Sequence, residues 1–322
     1  MKKSMTVLTV SVLLLAAPAR LGLGGQLLRN QVGAGANWVA HLNFDQLVKS
    51  QLGQLIRSEL AKEGLEEQLQ GFQTIFSFHP IDDIRDVTIY GNGSDREKAV
   101  ALFEGSFDKE KLVAVVRMNP QYKEIKDGDL VVHSWVDENK KDPNGPDQRM
   151  YGCTYDNMVV LGAGFEAVKQ AVDVLKGTSP NAADGVFKQS ALDAEGAFFQ
   201  VAANAVNDLA NHQNEAAVLE QTDELGAAVG ENNGTFYVNV SLRAGSEEIA
   251  QNVKKVLEGI IAFLTLAGSE HPSLAELAGK LKLSAVDRMV ALSFESSSES
   301  VFASLKEAWQ KEKNKAAQPT PP

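Results

Sequence analysis

Between Asp45 and Phe76 apolar residues recur at threes and fours (Leu47, Leu52, Leu55, Ile56, Leu60, Leu65, Leu69 and Phe72), with polar residues between them. That spacing predicts an amphipathic helix, following a strand at Trp38 to Leu42. Gly64 and Gly71 weaken or break this helix, and Phe78-His79-Pro80 ends it. Short strand-like runs then flank turn dipeptides: Asn92-Gly93, Asp127-Gly128 and Asp156-Asn157 each read as a hairpin. Phe165, Val168, Val172 and Leu175 form one face of a helix that stops at Gly177.

The second half follows the same plan. A strand is expected at Ala197 to Ala202, a short helix near Val206 to Leu209, and a hairpin around Asn232-Asn233-Gly234. Ser246 caps a long helix striped by Ile249, Val253, Val256, Leu257, Ile260 and Leu264. A helix at Leu274 to Leu281, a hairpin around Asp287-Arg288 and a last helix carrying Val301, Phe302, Leu305 and Trp309 complete it. The expected fold is α+β, with two similar halves, each an antiparallel sheet covered by helices, in the manner of a tandem duplication. The divisions are 1–19 signal peptide, 20–36 flexible leader, 37–177 first half, 178–195 linker, 196–312 second half and 313–322 disordered tail.

Composition changes the picture at the N-terminus. Lys2 and Lys3 precede an uncharged run from Met5 to Ala19 that ends in Ala17-Pro18-Ala19, a small-x-small pattern. Basic start, short apolar run and small-residue site together read as a secretory signal. The run is short for a membrane span, and the only cysteine, Cys153, is far from the cleavage site. The expectation is a periplasmic or secreted protein with no stable membrane anchor after cleavage and no internal disulfide. The formal net charge is −11 and becomes more negative once Lys2 and Lys3 leave. An acidic chain without a basic cluster is a poor match to nucleic acid or to an anionic membrane surface.

Chemical motifs are sparse. Gly162-Ala-Gly164-Phe-Glu-Ala167 fits the glycine pattern of a dinucleotide loop, but its strand reads as half of a hairpin and no second strand ending in an acid follows. The glycines are expected to shape a strand-to-helix turn, and no cofactor is assigned. The five histidines (His41, His79, His133, His212 and His271) form no metal-binding spacing. Asp142 to Asp147 has loop oxygens but lacks the calcium-loop spacing and its closing Glu. Cys153 reads as a small buried side chain. No catalytic residue is assigned. His133, Trp135 and Asp137 would share one face of a strand, and they are the candidate ligand-site residues.

The strings NWVAHLNFDQLVKSQLGQLI, FSFHPIDDIRDVTIYG, YKEIKDGDLVVHSW, NMVVLGAGFEAVKQAVDVLKG and GENNGTFYVNVSLRA resemble a family of exported proteins of unknown function from planctomycetes, verrucomicrobia and acidobacteria. The resemblance spans nearly all of the mature chain. It implies export and a two-part α+β fold, and it brings no catalytic residues. The function expected from all of this is non-enzymatic: an envelope module that binds, senses or interacts, with a protein or small-molecule partner. The alternative is a small-molecule binder or hydrolase with its site between the halves.

Overall fold

The computed structural model describes residues 27–136, 148–185, 187–206, 221–266 and 272–316. Twelve strands form one sheet: β1 (Trp38–Asn43), β2 (Ile84–Gly91), β3 (Val100–Gly105), β4 (Lys123–Asp127), β5 (Leu130–Val136), β6 (Arg149–Tyr155), β7 (Met158–Gly162), β8 (Ala197–Asn204), β9 (Thr222–Asn232), β10 (Thr235–Ala244), β11 (Lys282–Val286) and β12 (Met289–Ser297). Their order is β11-β12-β10-β9-β8-β1-β2-β3-β7-β6-β5-β4, antiparallel throughout. The two halves therefore do not build separate sheets. β1 pairs with β2 along one edge and with β8 along the other, and this joins them. Outward from that pair the strands run β1, β2, β3, β7, β6, β5, β4 on one side and β8, β9, β10, β12, β11 on the other, so the first side carries the β4–β5 hairpin in addition.

The hairpins sit where the turn residues predict. Asp156, Asn233 and Asp287 adopt positive φ in the β6–β7, β9–β10 and β11–β12 turns, and Gly93 and Gly128 do so after β2 and β4. Asp and Asn tolerate that region because their short side chains bond locally.

The helical pattern after β1 resolves into three helices rather than one: α1 (Phe44–Lys49), α2 (Gln51–Lys62) and α3 (Leu65–Phe76). Asn43 caps the first through Gln46 N at 2.8 Å. Ser50 is extended and caps the second through Gly53 N at 2.9 Å. Gly64, at φ 72°, separates α2 from α3, whereas Gly71 lies inside α3 without breaking it. Both breaks sit at residues that supply a cap or a left-handed joint, so the apolar periodicity alone cannot reveal them. The remaining helices are α4 (Lys109–Arg117), α5 (Phe165–Leu175), α6 (Glu247–Leu266), α7 (Pro272–Gly279) and α8 (Ser298–Ala316). The helix expected near Val206 to Leu209 lies mostly outside the described residues.

The main core lies between α5 and one face of the sheet, around Val39, Val100, Leu102, Val160, Val168 and Val172. Two segments outside the main elements contribute to this core. Leu27, Val32 and Ala36, from the stretch read as a flexible leader, are buried in this core. So are Phe187 and Leu192, from the stretch read as a linker. Their polar and small neighbours look loop-like, but single large apolar residues anchor both segments under the sheet. A second anchor holds the α2 N-terminus. The buried Glu231 carboxylate accepts from Gln51 N at 2.6 Å, Leu52 N at 2.8 Å and Ser298 Oγ at 2.5 Å, tying α2 and α8 to β9.

Candidate functional site

The covered face of the sheet is apolar at the main core but carries a polar centre, and the opposite face carries apolar rows that are not buried. On the covered face one in-register row runs Val160, Leu102, Thr88, His41, Gln200 and Ala228, from β7 to β9. Its centre is polar and buried. His41 Nδ1 lies 2.9 Å from Thr88 Oγ1, and Gln200 Nε2 donates to Ala191 O at 3.0 Å. The opposite face carries two adjacent rows that are apolar throughout. One is Leu161, Ala101, Ile89, Ala40, Val201, Ala227 and Val240. The other is Val159, Phe103, Val87, Leu42, Phe199, Val229 and Val238. None of these side chains is buried, and Ile89 and Phe199 are 39% and 36% exposed. A buried polar row and a half-open apolar face are the two informative departures from ordinary burial.

At the β3–β7–β5 end the apolar face is roofed by α3 and α4, and a cavity of about 510 Å³ separates roof from floor. The floor is Ile84, Phe103, Val159, Leu161 and Trp135. The roof is Leu65, Leu69, Phe72 and Phe76 of α3, with Leu112, Val115 and Val116 of α4. Phe78 and Phe107 close one side by edge contact, with centroids 5.4 Å apart. Among the lining residues Gln68 alone has an amide, hydroxyl or charged side chain. The helical sequence explains the gap. α4 presents an apolar stripe, yet none of its residues is buried, so the stripe faces the cavity instead of filling it. Phe72 and Phe76, one turn apart, stack at 4.2 Å and bulk out the roof.

The predicted ligand-site residues divide. Trp135 lines the cavity floor. Gly152 gives it room: a Cβ there would stand 2.6 Å from Leu161 Cδ2 and 3.2 Å from the Trp135 ring. His133 is two residues back along β5, on the same face, beside the cavity. Its Nδ1 lies 2.8 Å from the Tyr122 hydroxyl, and the two rings stack at 5.9 Å. Burial lowers the His133 pKa from its ordinary value, which favours the uncharged ring. Arg117, at the end of α4, stands over the Tyr122 ring and pairs with Glu124 at 2.9 Å. The Arg117 hydrogen bond holds the Glu124 carboxyl below its usual range. Asp137, like the Asp142 to Asp147 loop, His212 and His271, lies outside the described residues. Sequence reasoning missed the roof. The signal was present in the phenylalanines of α3 and in the short apolar stripe of α4.

The other motifs have structural roles. Gly164 precedes α5, and a Cβ there would lie 2.1 Å from Glu97 O, so the glycine serves close packing at a strand-to-helix turn. Its strand β7 pairs antiparallel on both sides, unlike the strand of a dinucleotide unit. Cys153 is buried, as expected, and burial pushes its thiol up to about 11. Among the described residues no group of three or more His, Cys, Asp or Glu is placed to hold a metal ion. Nor, among them, is any helix long and apolar enough to cross a membrane.

No family model and no curated protein matches the sequence. Among solved structures the chain is similar to TP0453 in crystal form III, at 8% identity and a TM-score of 0.46, over 87% of this chain and 97% of that one. It is likewise similar to TP0453 in crystal form I, at 7% identity and 0.46, over 87% and 96%.

Proposed function

We propose that this protein is an exported, non-enzymatic binding module that takes up the apolar part of a small molecule between α3, α4 and the sheet. The observation that carries this reading is the cavity itself: about 510 Å³, within the size range of ligand pockets, walled by aromatic and aliphatic side chains. An apolar pocket of that size is costly to leave to water, because its lining stays hydrated and forgoes dispersion contacts that a ligand supplies. The site lies within the first half, beneath α3 and α4. The mirrored strand order about the β1–β8 pair supports reading the halves as a tandem duplication, of which only the first carries this cavity.

The reading is tested by titrating dodecanoate, below its micelle concentration, into the protein while following tryptophan emission. A saturable change in the wild type that is lost in Trp135→Phe is expected, because Trp135 forms the floor. No saturable change, or one that survives the replacement intact, would overturn the proposal.

A further inference from the structure

We infer that the cavity and the two half-open apolar rows form one continuous trough, and that its ligand is a single long-chain amphiphile whose chain leaves the cavity and lies across β2, β1 and β8. The inference rests on the reading of the cavity as a binding site. Three observations extend it beyond that site.

The first is continuity. Leu161 and Phe103 belong at once to the cavity floor and to the two rows. From them the register leads through Ala101 and Ile89 to Ala40 and Val201, and no polar side chain interrupts either row as far as β10. The second is shape. Neighbouring strands lie about 4.8 Å apart, so the rows from β7 to β8 span roughly 19 Å. This is the dimension of an extended chain and not of a compact ring system. Ala101, Ala40 and Ala227 keep one row low beside the larger Phe103, Leu42 and Phe199 of the other, which gives the strip a floor and a flank. The third is polarity at the far end. Beyond Trp135, on the same face of β5, lies the His133–Tyr122 pair, with Arg117 against the Tyr122 ring. These groups can meet a polar head beside the cavity mouth, while the exposure of Ile89 and Phe199 leaves the strip open to the chain over β2, β1 and β8, up to Val229, which packs against the buried cluster of Leu47, Leu52 and Val301.

The test uses the full mature chain and saturated carboxylates from decanoate to octadecanoate. Each buried methylene is worth about fourfold in affinity, so affinity should climb by about that factor per methylene up to octadecanoate. Ile89→Thr, which keeps a β-branched residue in the strand, should weaken octadecanoate about tenfold and leave decanoate unchanged. Octadecanoate carrying a terminal diazirine should label wild-type peptides containing Ile89, Ala40 or Phe199, a readout that needs no variant. Affinity that levels off at decanoate, with label confined to α3 and α4, would overturn the trough and leave the cavity reading standing. Label that links two copies of the chain across the strip would overturn it in favour of self-association. If decanoate itself does not bind, the cavity reading falls, and the trough with it.

Discussion

Asp86 sits on the covered face of β2, opposite Asn43 on one side and Glu104 on the other. Desolvation, with the nearby Glu104 charge, raises its pKa from 3.8 to about 7, against the pull of Arg85. The folded protein therefore holds this proton to higher pH than the unfolded chain does. Its contribution is fully present below about 3.8 and is lost as pH rises to about 7, so stability falls through that window and is flat above it. Asp86→Asn should remove the fall and raise stability above pH 7 by on the order of 2–4 kcal/mol, read by urea unfolding at several pH values. A pH profile that the replacement leaves unchanged would count against the assignment. Glu231 behaves differently, because two backbone amides and a hydroxyl satisfy it. Glu231→Ala should cost about 2–4 kcal/mol by stranding the first amides of α2, again read in urea. At this scale much was legible. Strand alternation put His133 and Trp135 on one face, and the strand-like run around Cys153 pointed to a small buried side chain. Glu231 was not legible, since its partners lie about 180 and 67 residues away.

The helices that roof the cavity differ from those that pack the core. α5 buries Val168, Ala171, Val172 and Val174, whereas α4 buries nothing and α3 only Leu65 and Leu69. Few buried contacts mean a low free energy of local opening. Amide hydrogen exchange should accordingly be faster in α3 and α4 than in α5, β1 or β2, and dodecanoate should slow the first two selectively. Uniform protection across these elements would contradict the loose roof. Apolar periodicity marked the helical stretch over 45–76 and the buried face of α5. It could not fix where the 45–76 pattern breaks, because Ser50 and Gly64 act through backbone conformation. Nor could it tell an apolar stripe that meets the core from one that meets a cavity, since both carry the same spacing.

At the scale of the molecule, hairpin signals gave five of the eleven neighbouring strand pairs. The joins that matter most, β1 with β8 and β3 with β7, link residues far apart in sequence and leave no local mark. The two apolar rows exist only once those joins set the register, as Ala40 beside Val201 shows. This is why the sequence suggested two sheets with a site between halves. The structure has one sheet, with a polar centre on one face and an apolar opposite face that is half-open between α3 and α4 at one end and the cluster of α1, α2 and α8 at the other. A ligand held at that open face stabilises the folded state by mass action, by about 2.7 kcal/mol at a hundredfold excess over Kd.

The most direct measurement is calorimetric titration of dodecanoate into the wild type and into Phe103→Arg, at several temperatures. Phe103 lies on the cavity floor, is partly exposed, and is absent from the buried core. Burial of apolar surface predicts saturable binding to the wild type with a negative heat-capacity change, and its loss in a folded Phe103→Arg protein. Equal binding to both proteins, or none to the wild type, would contradict an apolar ligand site beneath α3 and α4.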